Sequence, residues 1–412
     1  MKKVIVQTKK CRLCNSGELS AFLNLGNIPI RNAEVEKNSK TKIPNLKILV
    51  CKNCWHVQAG KVPLPDFYKK DYTYHTRFSK TVDNHFRARA KQIINKFNLK
   101  TNDLVMDIGG NDGTFLKHFR TNNKEINKLC VDPTVKTTYF AKKLGIKIYR
   151  DFFNIKNSKI IKNKFGSPKV ILCTNTFGAI NNMNEFVAGL TKVMNDNSVF
   201  VYENPYLLDT FKGLQFDTMY YEHISYFSIS PMFKFFKKFG LEIFDYSKSK
   251  IHGGSMMVFV RKIQKDKYQS KILKILKKEK YLRFNTMLPY KKFAKDVEKS
   301  KIKITKIINN IRKNKKNIIA YGASDRGLTL LNYYRLNSNQ IDYMIDSNTF
   351  KQGLFFSGTN IKIYNQKKLI TNKPDYILLT AWNFKDEIIK NIKKLKIKSK
   401  YIIPLPNAKI IN

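Results

Sequence analysis

The 412 residues suffice for two or three domains, each with its own core, and a hydrophobic share of 42% excludes intrinsic disorder. Apolar runs are too short to span a bilayer, and the opening Met-Lys-Lys-Val-Ile-Val-Gln-Thr-Lys-Lys lacks the apolar core and cleavage site of a signal peptide, so a cytoplasmic location without a membrane span is expected. Lys and Arg outnumber Asp and Glu by 78 to 30, a formal charge of +48 that favours anionic small molecules as substrates and leaves nucleic acid or an anionic membrane as the competing reading.

In chain order, residues 1–70 read as a small metal-stapled module. Cys11-Arg-Leu-Cys14 and Cys51-Lys-Asn-Cys54 are two Cys-x-x-Cys knuckles, and together they make a tetrahedral four-thiolate site suited to zinc. Four thiolates leave no position open for water, so the zinc is structural. His56, just beyond the second knuckle, is the one competing ligand. The module's apolar periodicity is poor, which predicts that it depends on the metal to fold. Cys130 and Cys173 lie in apolar runs and read as packing residues.

A helix is predicted over Lys80–Phe97. Next comes Leu104-Val-Met-Asp-Ile-Gly-Gly-Asn-Asp-Gly113, an apolar strand ending in an acid, a Gly-rich turn, and a helix expected from Thr114. The turn lacks the Gly-x-Gly-x-x-Gly spacing of a pyrophosphate site and the Gly-Lys-Ser/Thr of a P-loop. Asp107 before Gly109 and Gly110 would repel a phosphate but suits an ammonium group. S-adenosylmethionine (SAM) carries one, and its ribose needs an acid at the end of the next strand, where Asp132 stands. A Gly-rich turn with no ligand is the alternative.

Strand and helix patterns then alternate: strands at 128–131, 146–149, 169–174 and 198–203, helices near Val135–Lys143 and across 184–194. This predicts a doubly wound parallel sheet over 71–262. Residues 263–317 form a Lys-rich helical connection. Its lysines (Lys265, Lys271, Lys274, Lys277, Lys278, Lys280) are scattered rather than grouped with aromatics, as compositional bias would leave them. A second α/β series from Ile318 through 341–346 and 376–381 to 401–404 makes a Rossmann-like domain over 318–412.

These parts together resemble the sugar C-methyltransferase family of deoxysugar biosynthesis. The zinc module is similar at both knuckles and at Leu25-Gly26-Asn27-Ile28-Pro29-Ile30-Arg31-Asn32. The SAM domain is similar at Asp107-Ile-Gly-Gly-Asn-Asp-Gly-Thr-Phe-Leu116, at Val131-Asp132-Pro133-Thr134 and at Asp151-Phe152-Phe153. The C-terminal domain is similar at Tyr321-Gly-Ala-Ser-Asp-Arg-Gly-Leu-Thr-Leu-Leu-Asn-Tyr333, at Lys351-Gln-Gly353 and at Ala381-Trp-Asn-Phe384. The resemblance implies a SAM-type methyltransferase fold between a zinc module and a C-terminal domain that helps bind the acceptor. It also implies Asn111, Asp112 and Asn175 as further cofactor contacts.

Phe216-Asp-Thr-Met-Tyr220-Tyr221-Glu222-His223-Ile-Ser-Tyr-Phe227 resembles the family's Tyr-His-Glu-His stretch. The match implies His223 as a base that takes the α-proton of a nucleotide-linked keto sugar, Glu222 as its orienting group, and Tyr220 as a hydrogen-bond donor to the enolate oxygen. Without the resemblance the stretch reads as an aromatic loop packed on the SAM site. Two departures, Tyr221 and Ala179 where the family has His, are expected near the acceptor pocket. Arg326 at a helix start, with Lys351 and Tyr321, is expected at the acceptor's phosphates. His75, His85, His118 and His252 read as surface or supporting residues, with His252-Gly253-Gly254-Ser255 also suited to lining the acceptor site. Methylation of oxygen in a polysaccharide precursor is the nearest alternative, and a basic nucleic-acid-binding protein the alternative from another class. Oligomeric state is not encoded in any of these motifs.

Overall fold

The computed structural model describes residues 5–30, 34–36, 43–64, 75–121, 124–264 and 270–412; Arg31, Asn32 and Lys265 lie outside the described residues. Near the N-terminus, β1 (Leu19–Asn27), β2 (Asn45–Cys51) and β3 (Val57–Ala59) form an antiparallel sheet. Its fourth strand is Ser225–Tyr226, which comes from the middle of the chain and pairs with β3. The expectation of a core-poor module needs correcting. Leu46, Ile48, Val50, Val57 and Ala59 are all fully buried, in a cluster continuous with the cores that follow. The alternation of β2 is short, so periodicity alone understates a core completed by distant residues.

Helix α1 (Lys80–Phe97) runs as predicted, capped by Ser79, whose hydroxyl accepts from the Val82 N–H, and closed by Asn98 in the left-handed conformation. The central sheet comprises β4 (Leu104–Ile108), β5 (Asn127–Val131), β6 (Lys147–Tyr149), β7 (Val170–Thr174), β8 (Val199–Pro205), β9 (Leu241–Ser249) and β10 (Ser255–Lys262). Their spatial order is β6-β5-β4-β7-β8-β10-β9. The first five strands are mutually parallel, and β10 runs antiparallel to both β8 and β9. The sheet is therefore mixed, not wholly parallel. The link from Ser249 to Ser255 is too short for a crossover, so β9 and β10 must form a hairpin.

Helices α2 (Val135–Lys143), α3 (Ile155–Phe165) and α4 (Met183–Val193) pack on the sheet. Of these, α3 was not foreseen. The helix expected from Thr114 does not form: a single 3₁₀ turn at Leu116–His118 is followed by a small hairpin, Arg120–Thr121 with Lys124–Glu125. Phe115, Leu116 and Phe119 are all buried, a spacing that one turn satisfies, and the Arg-Thr-Asn-Asn-Lys that follows favours a reversal.

Helices α5 (Ser270–Tyr281) and α6 (Leu288–Lys313) bear out the helical reading of the Lys-rich segment. The second α/β unit contains β11 (Ile318–Tyr321), α7 (Asp325–Tyr334), β12 (Met344–Ile345), β13 (Phe355–Phe356), β14 (Ile361–Tyr364), β15 (Tyr376–Leu379), β16 (Lys400–Ile403) and β17 (Lys409–Ile411). Strands β16, β15, β11, β12 and β14 are parallel in that order, and β13 is extended by Glu34–Val35 from the N-terminal region. Trp55, beside the second knuckle, stacks on Tyr290 of α6 at 6.1 Å, and Phe22 meets the same ring at 5.3 Å. No helix among the described residues is long and apolar enough to cross a membrane.

The four knuckle thiols lie within 4.8 Å of one another. The Cys11–Cys54 and Cys14–Cys51 sulfurs are 3.5 and 3.6 Å apart. Tetrahedral bonds of about 2.3 Å to one zinc require sulfurs about 3.8 Å apart, so the donor set fits the metal. His56 is turned away from it, fully buried with its Nε2 3.3 Å from the Ser225 hydroxyl. Metal analysis should find one zinc per chain. Because this sheet shares a core with the rest, stripping the metal should lower the melting temperature while leaving most far-UV helix and sheet signal. Global unfolding on chelation would contradict the shared-core account.

Candidate active site

At the carboxyl end of β4 the chain must turn sharply, and the turn leaves no room for side chains. Gly109 has φ +74°, and a Cβ there would meet the Thr176 hydroxyl at 2.3 Å. A Cβ on Gly110 would lie 2.8 Å from the Cys130 sulfur. The two acids stand at adjacent strand ends. Asp132 accepts from the Asn111 N–H at 3.0 Å and the Thr134 N–H at 2.9 Å. Burial still pushes its pKa upward against these bonds. Asp107 is 4% exposed, and its Oδ1 has no hydrogen-bond partner. Burial, and then the Asp132 charge, push its pKa up to about 8.

Two connected hollows open on this turn. The larger, about 360 Å³, is lined by Asp107, Gly110, Thr218, Tyr220, His252 and Arg326 among others, and so lies between the central sheet and the C-terminal unit. The smaller, about 160 Å³, contains Asp132, Asp151, Phe152, Phe153 and Ala179. Gly109, Asn111, Asn175, Thr176, Glu222 and His223 border both. A more spacious cleft of about 740 Å³, lined by six lysines including Lys248 and Lys303, has neither the Asp107–Asp132 pair nor a histidine on its walls. Chemistry rather than size locates the site.

The segment 216–227 crosses the larger hollow. The His223 Nδ1 lies 3.2 Å from the Thr218 carbonyl, which can only accept, so Nδ1 carries the proton. Its Nε2 is then the acceptor for the Tyr220 hydroxyl, 3.1 Å away. Burial lowers the His223 pKa to about 4, with the Arg326 charge adding to the effect and the Thr218 bond opposing it. Tyr221 departs from the expectation set for it. It is fully buried, and its hydroxyl donates to the Pro44 carbonyl at 2.9 Å, away from both hollows. Ala179 does line the smaller one.

Among the expected acceptor contacts, Arg326 lines the cleft, but its fork is engaged. Nε and Nη2 hold Asp217 at 2.9 and 3.0 Å, and Nη1 donates to the His252 carbonyl at 3.1 Å. The guanidinium also lies 4.9 Å from the centre of the Trp382 ring, whose Nε1 donates to Asp217 at 2.8 Å. Lys351 donates to the Ala323 carbonyl at 2.6 Å, and neither it nor Tyr321 borders the hollows. Asp112 also stands behind the turn, where its carboxylate accepts from the N–H groups of Thr114 and Arg77. Asp217 and Trp382 sit inside matched motifs, yet nothing local marks them as partners of Arg326. His85, expected as a supporting residue, is one: its Nε2 is 2.7 Å from Glu203 at the end of β8.

Three family models match successive stretches of the chain. Residues 11–67 match a family described as a putative zinc binding domain, 82–246 a methyltransferase domain, and 250–406 a C-methyltransferase C-terminal domain. The C-methyltransferase NovU of Streptomyces niveus is 27% identical, with 100% of this chain and 99% of that protein covered. Solved structures that are similar include a S-adenosylmethionine-dependent methyltransferase from Clostridium acetobutylicum ATCC 824, at 11% identity over 44% of this chain and 92% of that one with a TM-score of 0.34. Another is the plantazolicin methyltransferase BpumL in complex with SAH, at 16% identity over 45% and 86% with a TM-score of 0.36.

The chain is a SAM-dependent methyltransferase, similar along its whole length to a C-methyltransferase. The methyltransferase's own residues fit that cofactor. A buried carboxylate oxygen without a partner calls for a cationic group, and the side-chain-free turn lets a ligand lie against the backbone. Asp107 would hold the ammonium and Asp132 the ribose hydroxyls. Because burial pushes the Asp107 pKa up to about 8 and the group must be a carboxylate to hold a cation, affinity for SAH should fall as pH drops below about 8, where protonation of Asp107 opposes binding. Calorimetry should show Asp132→Ala weakening SAH binding by roughly 10-fold or more, the worth of hydrogen bonds to a charged acceptor. Unchanged affinity would remove the ribose assignment.

Proposed function

We propose that the enzyme C-methylates a nucleotide-linked keto-deoxysugar from the cytoplasmic pool, with His223 as the base. The observation that carries this reading is the fixed tautomer of His223: its Nδ1–H is committed to Thr218, so a basic Nε2 faces the cleft beside Tyr220. When bound, SAM supplies an electrophilic methyl group on a sulfonium. The enzyme's task is to make carbon nucleophilic. A ketone acidifies the neighbouring C–H, and Nε2 removes that proton while Tyr220 turns its hydroxyl to the carbonyl oxygen and stabilises the enolate. The proton leaves on the imidazole, and Glu222, at the rim of both hollows, stabilises the resulting imidazolium. The enolate carbon is then held toward the Gly109–Gly110 turn, in line for transfer.

Three further points support an acceptor seated between the two α/β units. Ser324, Asp325, Ala381 and Phe384 of the C-terminal unit line the same cleft as Asp107. Tyr221 makes its bond to Pro44 and so does not alter the acceptor pocket. Arg326, bound to Asp217, acts as a strut, which leaves the acceptor's phosphates to other groups in a strongly cationic chain.

His223→Asn should keep SAH affinity and lose about 10²–10⁴-fold in turnover, the usual worth of a positioned base. The wild type, but not the variant, should exchange the acceptor's α-proton with deuterated water in the absence of methyl donor. Since the imidazole titrates near 4, exchange should be lost only as pH falls toward that value, not through the usual histidine range. Near-normal turnover of the variant removes the assignment, and a product methylated on oxygen replaces C-methylation with O-methylation.

A further inference from the structure

A second imidazole in the cleft is left over by this mechanism. His252 lies in the hairpin link between β9 and β10, within the 3₁₀ turn Ile251–Gly253, and borders the larger hollow. His223 has both ring nitrogens engaged and His85 is bonded to Glu203, but the ring of His252 makes no hydrogen bond among the described residues. The contrast is with its own backbone, which is held on purpose. Its carbonyl accepts from Arg326 Nη1 at 3.1 Å, and the next carbonyl, of Gly253, accepts from the Gln215 amide at 2.6 Å.

His252 also has φ 53° and ψ 20°, the left-handed region. The two other cleft residues in that region with side chains, Asn111 and Asn175, are of the type that adopts it at least cost. Two glycines at positive φ follow it directly, so the link reverses tightly around the ring. The turn thus fixes the direction of the imidazole, which borders the larger hollow.

We propose that His252 is an acceptor-binding residue, hydrogen-bonding an oxygen of the sugar ring's substituents in the larger hollow and so helping to set which keto sugar is taken. This rests on the reading of the cleft as a keto-sugar site. Burial, with the Arg326 charge next, holds the ring's pKa down to about 4, so at neutral pH it offers one N–H donor and one acceptor nitrogen. That pair suits a hydroxyl, which can serve both, and does not suit a phosphate, for which an uncharged ring is a poor partner. Its place beside the Arg326 anchor means that the C-terminal unit, through one guanidinium, aims both histidines at the same substrate: His223 through the Asp217–Thr218 turn and His252 through its own carbonyl.

The test uses the full-length zinc-loaded enzyme and a panel of thymidine- and uridine-diphosphate-linked 4-keto-6-deoxyhexoses, with the best wild-type substrate carried forward. His252→Asn and His252→Gly both suit the left-handed backbone, so the turn should survive. For each, SAH affinity should equal that of the wild type, KM for the sugar should rise roughly 10-fold, the worth of one good hydrogen bond, and α-proton exchange at saturating sugar should persist. Added imidazole should lower the KM of His252→Gly and leave that of His252→Asn unchanged. A KM within about twofold of the wild type in both variants, or a loss of exchange with KM unchanged, overturns the assignment; the twofold margin is well below one hydrogen bond. A wild type that methylates no keto sugar of the panel overturns the functional reading itself, and with it this inference.

Discussion

Arg326 and Asp217 form the contact on which the rest of the active site depends. Asp217 is fully buried and takes three donated bonds, two from the guanidinium and one from the Trp382 indole. A charge so placed is tolerable only while every partner is present, and removing one partner of such a pair costs about 3–5 kcal/mol. The consequence is positional. Asp217 begins the turn whose next carbonyl, that of Thr218, fixes the tautomer of His223. The basic nitrogen of the methyltransferase domain is therefore aimed by a guanidinium from a different domain, 109 residues further on.

The other end of the same segment is held by the zinc module. Tyr221 bonds to Pro44, the Ile224 carbonyl accepts from the Ala59 N–H at 2.9 Å, and Ser225–Tyr226 forms the edge strand beside β3. Residues 216–227 are thus stretched between two neighbours with the cleft below them. The zinc site thus bears on the cleft without any role in the chemistry: it shapes the knuckles that flank a sheet, and the sheet fixes one end of the segment 216–227. It also explains why a tyrosine is accommodated at position 221, since the site asks there for a ring and a hydroxyl facing Pro44.

What could be read from the sequence was what is local. Asp107, the Gly109–Gly110 turn and Asp132 follow from one strand–loop–helix pattern and a strand ending one unit later, and the four cysteines declare their site by spacing alone. The helices Lys80–Phe97 and Val135–Lys143 were legible from periodicity. The misses at the cleft were matters of partnership that spacing does not show. Arg326 looked like a phosphate ligand because a guanidinium at a helix start is one by default, and only the fold brings Asp217 and Trp382 to it. Asp112 looked like a cofactor contact because it adjoins Asn111, whereas its carboxylate turns back to brace the loop. The antiparallel hairpin of β9 and β10 escaped because apolar strand patterns carry no direction. The core of the zinc module escaped because it is completed by the strand Ser225–Tyr226 and by Tyr290 of α6.

If the C-terminal unit sets the acceptor side of the cleft through the buried Arg326–Asp217 pair, the two residues must act as one on the acceptor and not on the cofactor. A double-mutant cycle with Arg326→Gln and Asp217→Asn measures this, reading acceptor kcat/KM and SAH affinity for all four proteins. Each single variant should lose roughly 10²-fold in kcat/KM, the double variant should be little worse than either, and SAH affinity should stay within about twofold throughout, a coupling of about 3 kcal/mol. Losses that simply add, or single variants that turn over the acceptor normally, would contradict it.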